Sequence, residues 1–156
     1  VLPHSFESTA NENDIFVFCL STVLSGDLAK KFKTDACIEI HRPAFFISKV
    51  RAALRIRPSI KDKTLVHGAV RYYEKEEPPN VDWALPERIA MSKLSAYADQ
   101  LEYRMAFAVN DAFRVENTHI RLTPPGERRF PRQGDYSNHL FRLENLKNLC
   151  RVIQFE

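Results

Sequence analysis

Five side chains able to bind or act on a charged, hydroxylated ligand fall within 92-SKLSAYADQLEYRMAF-107: Lys93, Tyr97, Gln100, Glu102 and Arg104. A carboxylate beside an apolar stretch such as 103-YRMAFAV-109 holds a hydroxyl by charge-assisted hydrogen bonds, or stabilises positive charge developing in a substrate. Lysine and arginine supply cations for an anionic group, and a tyrosine ring supplies a stacking face. The competing reading is structural. A Glu-x-Arg pair on one strand face, with Lys93 nearby, also makes an ion-pair cluster that docks one element on another.

The elements that must position these residues follow from hydrophobic spacing. From Glu102 onward the period is two, so Glu102 and Arg104 share one face and Tyr103, Met105 and Phe107 the other. Residues 87 to 99 read as helical, which puts Lys93 and Tyr97 on one face at i and i+4, with Gln100 in the turn to the strand. Upstream, 14-DIFVFCLS-21 is apolar on both faces like a central strand, and it ends at Ser21 and Thr22. Residues 25 to 33 suit one or two helical turns, and 35 to 41 alternate as a strand. Pro43 opens an amphipathic helix over 44 to 56, with two candidate apolar stripes: Phe46, Val50, Ala53 and Leu54, or Phe45, Lys49 and Ala52. A second alternating strand, 64 to 74, turns His67, Ala69, Arg71 and Tyr73 to one side, which makes Arg71 and Tyr73 further lining candidates.

Residues 1 to 13 read as a polar tail or leading loop, and 74 to 86 as an acidic, proline-rich loop. Strands are expected at 117 to 123, 139 to 143 and 150 to 156, with a long surface loop at 124 to 138 and a turn of helix at 144 to 149. The expectation is one α+β domain over 14 to 156, a mixed and largely antiparallel sheet of about seven strands with three or four short helices. A chain of 156 residues suffices for one core.

Several chemistries have no motif here. Four glycines in all, with no Gly-x-Gly-x-x-Gly and no Gly-Lys-Ser/Thr, argue against a phosphate-cradling glycine loop. There is no Gly-x-Ser-x-Gly elbow. Cys19, Cys37 and Cys150 are widely spaced within apolar runs, so buried free thiols, a reducing compartment and a cytoplasmic location are expected, with no metal site. No apolar run reaches the roughly 20 residues of a membrane helix. Net charge is +3, and the basic excess lies in 49 to 63 and at Arg128, Arg129 and Arg132. These offer an alternative function, a non-catalytic module for nucleic acid or an acidic protein. His41, His67 and His119 would support phosphoryl chemistry only if the fold brought them together.

Two resemblances extend this reading. Gln100-x-Glu102 running into a strand resembles the Gln/Glu-x-Glu motif of ADP-ribosyltransferases, and Ser21-Thr22 resembles the first two residues of that family's Ser-Thr-Ser, with Val23 in the third place. The resemblance implies NAD as the ligand. It implies that Glu102 holds the nicotinamide ribose 2′-hydroxyl and stabilises the oxocarbenium ion, while Gln100 engages the acceptor. The family's dinucleotide-binding Arg or His on a first strand has only His4 as counterpart. The order "FVFCLS", "CIEI", "VRYY", Lys93-x-x-x-Tyr97, Glu102-Tyr-Arg104 and "LENLKNLCRVIQF" also resembles a bacterial and phage-encoded domain family of unassigned function. That likeness implies that Lys93, Tyr97, Glu102 and Arg104 form one site.

Overall fold

A computed structural model describes residues 5–9, 12–58, 60, 64–78, 80–114, 119–123, 140–143 and 145–155. The apolar run at the start of the chain forms β2 (Ile15–Ser21), which pairs antiparallel with β7 (Glu102–Ala108) along its whole length. β4 (Val66–Ala69) lies on the other side of β7, also antiparallel, giving a sheet ordered β2-β7-β4. β3 (Ala36–Ile40) pairs antiparallel with β9 (Cys150–Gln154), and β5 (Arg71–Tyr73) pairs parallel with β6 (Ser92–Leu94). This is the expected mixed, largely antiparallel α+β fold.

The helix α1 (Gly26–Phe32) joins β2 to β3, with the Ser25 hydroxyl accepting from the Leu28 N–H as its N-cap. The helix α2 (Pro43–Arg55) starts at proline, whose fixed φ suits the first helical turn. Of the two stripes the sequence offers, Phe46, Ala53 and Leu54 are the buried ones, and Phe45 is exposed. Phe46 and Leu54 pack with Ile60, Leu65, Met105, Phe107 and Val109 into the core. The alternation of β7 therefore settles its two faces: Tyr103, Met105 and Phe107 turn toward this core, and Glu102 and Arg104 turn away.

Four expectations need correction. Residues 5 to 9, read as tail or loop, form β1 (Ser5–Thr9), paired antiparallel with β8 (His119–Thr123). The single strand expected over 64 to 74 is two, because Val70 still donates its N–H to the Glu102 carbonyl of β7 but Arg71 turns to pair with the segment around Ser92. Helix over 87 to 99 is limited to α3 (Pro86–Ala90), after which come β6 and a 3-10 turn over Ser95–Gln100. Pairing with β5 overrides the local helical preference at Ser92–Leu94. Residues 140 to 143 form no strand, yet Phe141 and Leu143 pack against the core and the Leu140 carbonyl accepts from Arg57. The 124 to 138 loop, with Arg128, Arg129 and Arg132, lies outside the described residues.

Candidate functional site

Glu102 opens β7 and is the buried charged residue of the molecule among the described residues, 5% exposed. Its carboxylate is bound from two sides. Arg104 Nε donates to Oε1 at 2.6 Å and Lys93 Nζ donates to Oε2 at 2.7 Å. Lys93 also donates to Gln100 Oε1 at 2.6 Å, and its ammonium sits 4.9 Å from the centre of the Tyr97 ring. The structure thus brings together Lys93, Tyr97, Gln100, Glu102 and Arg104, although Lys93 stands on a strand and Tyr97 in a 3-10 turn, not one helix face.

The two cations are held differently. Arg104 Nη1 donates to the carbonyls of Ala90 at 2.7 Å and Ser92 at 3.1 Å, where α3 ends and β6 begins. It is an anchored fork that closes carbonyls left open by the helix end. Among the described residues Lys93 is joined to the Gln100 and Glu102 side chains and the Tyr97 face, at the more open side of the cluster.

The backbone that delivers Gln100 and Glu102 is locked by the end of β2. Ser21 stands opposite Glu102 in the ladder, and its hydroxyl donates to the Gln100 carbonyl at 2.9 Å. The Thr22 N–H and hydroxyl both donate to the Leu101 carbonyl at 2.9 Å. Leu101 has φ 41°, the left-handed region that costs a non-glycine residue energy, so these bonds hold a strained turn. Ser21 and Thr22 are turn-fixing residues of the site.

Sequence reasoning missed two members. Cys19 faces Arg104 across the ladder, and its thiol donates to Glu102. The Tyr72 hydroxyl accepts the Glu102 N–H at 2.8 Å. Period two within β2 puts Cys19 on the face of Ser21, but only the register with β7 brings it to Glu102. Cys19 is free and exposed, and Cys37 and Cys150 are free and half-buried, so the expected burial of all three is wrong. Arg71 is not part of the cluster: it pairs with Glu77, while Tyr73 packs against Trp83.

Burial alone would push the Glu102 carboxyl up, but hydrogen bonds from Arg104, Cys19 and Lys93 more than offset it and bring it down to about 2. Burial and the neighbouring Glu102 charge raise the Cys19 thiol. Nearby, Asp99 is paired with Lys31 at 2.6 Å, which lowers its carboxyl. The cluster is an ionised carboxylate between two cations, so it carries a net positive charge.

Other candidates lie elsewhere. On the opposite face of the sheet, Arg51 Nη2 donates to His67 Nε2 at 2.8 Å, which leaves Nδ1–H to donate to the Tyr103 hydroxyl at 2.7 Å. Burial and Arg51 lower the His67 imidazole. His41 meets the Asn148 carbonyl, so these two imidazoles share no partner. The His119 side chain lies outside the described residues. Within the basic stretch 49 to 63, Arg51 on α2 is committed to His67, and Arg57 beyond its end to the Leu140 carbonyl and the Phe141 ring.

Among the described residues no group of three or more His, Cys, Asp or Glu side chains is placed to hold a metal ion. No helix there is long and apolar enough to cross a membrane. Compared with protein-family models, curated proteins and solved structures, the chain matches none.

Proposed function

We propose that this domain binds a nucleotide-like ligand at the mouth formed by Lys93, Tyr97 and Arg104, and that Glu102 acts on its ribose in ADP-ribosyl transfer or NAD hydrolysis. The observation that carries the reading is the pairing of one ionised carboxylate with two cations beside a tyrosine ring that is 45% exposed. The excess positive charge draws phosphate, the ring offers a stacking face, and Glu102 supplies a fixed negative charge for a ribose hydroxyl and for the oxocarbenium ion. Ser21 lies opposite Glu102 in the ladder and Gln100 two residues before it, and the resemblance to ADP-ribosyltransferases supports reading the three as one site. The counterpart of that family's dinucleotide-binding first-strand residue, His4, lies outside the described residues. The test is incubation with NAD and candidate acceptors. Nicotinamide release by the wild-type chain that falls at least 100-fold in Glu102→Gln supports the reading, and no release, or release unchanged by the substitution, overturns it.

A second reading is a non-catalytic module for nucleic acid. Ser48, Arg51 and Arg55 line a groove of about 410 Å³ along α2. Arg55 suits a phosphate contact there, and Arg51, at helical spacing from it, joins only by leaving His67. Binding that weakens steeply with salt and disappears in Arg51→Glu/Arg55→Glu would favour this module over the NAD-directed site.

A further inference from the structure

Glu102 is 5% exposed, and its two oxygens lie beneath their partners. Oε1 is held by Arg104 and Oε2 by Lys93. A ribose hydroxyl reaches so buried a carboxylate only when one of these side chains moves aside, and the two differ in how readily they leave. Arg104 is 14% exposed and is tied at three points, to Glu102 and to the Ala90 and Ser92 carbonyls. Moving it would strip two backbone acceptors as well as the carboxylate. The Lys93 side chain is 23% exposed. It stands on a three-residue strand, and its flexible stem ends in a compact charge whose contacts among the described residues are side chains.

We infer that Lys93 is an exchangeable cover on Glu102, displaced when a phosphate-bearing ligand takes its ammonium, so that anion binding exposes Oε2 while Arg104 keeps Oε1 in place. This inference rests on reading the cluster as the ligand site. The pyrophosphate of a dinucleotide carries two negative charges against the single charge of the carboxylate it replaces as the lysine's partner, and a ligand moves such an equilibrium by its differential affinity for the two states. Gln100 contributes to the resting position, since Lys93 loses the Gln100 oxygen together with Glu102. A hydroxylated ligand without an anionic group has nothing to offer Lys93, so the site selects for phosphate before any contact with Glu102 is made. Tyr97, the third contact of the ammonium, is then uncovered as a ring face.

The experiment uses the full chain at neutral pH with isotope labels in the glutamate carboxyl, lysine ammonium and arginine Nε, and inorganic pyrophosphate as the probe. The expected result is that the Lys93 Nζ and Glu102 Cδ signals move together with one dissociation constant while Arg104 Nε stays. Pyrophosphate binding should weaken at least 10-fold in Lys93→Met. Failure to bind, movement of Arg104 with Glu102, or Lys93→Met binding as tightly as wild type overturns the inference. The wild-type titration needs no variant, so a misfolded Lys93→Met leaves the test intact. Outcomes for the two proposals separate. Nicotinamide release from NAD with a wild-type KM in Lys93→Met keeps the NAD reading and removes the cover. The pyrophosphate signature in a chain that leaves NAD intact does the reverse.

Discussion

Glu102 is where the structural and chemical readings meet. It is a buried carboxylate that orders three elements: β7 by its position, β6 through Lys93, and the end of α3 through Arg104. Removing its charge leaves two partly buried cations without a counter-ion, which costs about 3 kcal/mol in comparable pairs. Glu102→Gln is therefore expected to lose about that much in urea unfolding. The same ion pairs fix an acid limit. The folded carboxyl titrates at about 2 against 4.5 for an unperturbed one, so its contribution is full above pH 4.5 and disappears as pH falls toward 2. Wild type should lose stability through that window, and Glu102→Gln should lose less there; equal losses would contradict the assignment. The residue types and spacing in the sequence were enough to find Glu102, Arg104, Lys93, Gln100 and Tyr97. Cys19 and Tyr72 were hidden because their place depends on strand register, which period two alone does not give.

At the scale of elements, the stretch from Pro86 to Leu101 works as a bracket. A single helical turn and a half, a three-residue strand and a 3-10 turn carry Lys93 and Tyr97 over the start of β7. Its sequence reads as continuous helix because nothing local announces that Ser92–Leu94 will pair with Arg71–Tyr73. Strand β2, helix α2 and strand β7 were legible, since their periodicity is long and their caps or prolines are local. The bracket closes at Leu101, whose left-handed φ is held by Thr22. Its side chain is 48% exposed, so little packing is at stake. Leu101→Gly should leave stability unchanged or raise it by up to about 1 kcal/mol, and Leu101→Val should lower it by about 1 kcal/mol. Denaturation midpoints in the order Gly at or above wild type, then Val, would bear this out; Val above wild type would remove the strained-turn account.

The whole molecule is organised by the two faces of the β2-β7-β4 sheet. One face carries the apolar core under α2, with Leu54 fully buried, and the other carries the Glu102 cluster. A cavity in this core should lower stability without reaching the site: Leu54→Ala is expected to cost about 2–5 kcal/mol, read as a lower unfolding midpoint with the cluster geometry retained. The sheet also separates the two functional readings in space, with the ionic cluster on one face and the basic helix α2 packed on the other. Chemical-shift mapping with ADP-ribose tests the central claim most directly. The account predicts saturable shifts confined to Lys93, Tyr97, Gln100 and Glu102, with Arg104 Nε unmoved. Shifts centred on Ser48, Arg51 and Arg55 of α2, or no saturable shifts at all, would contradict it.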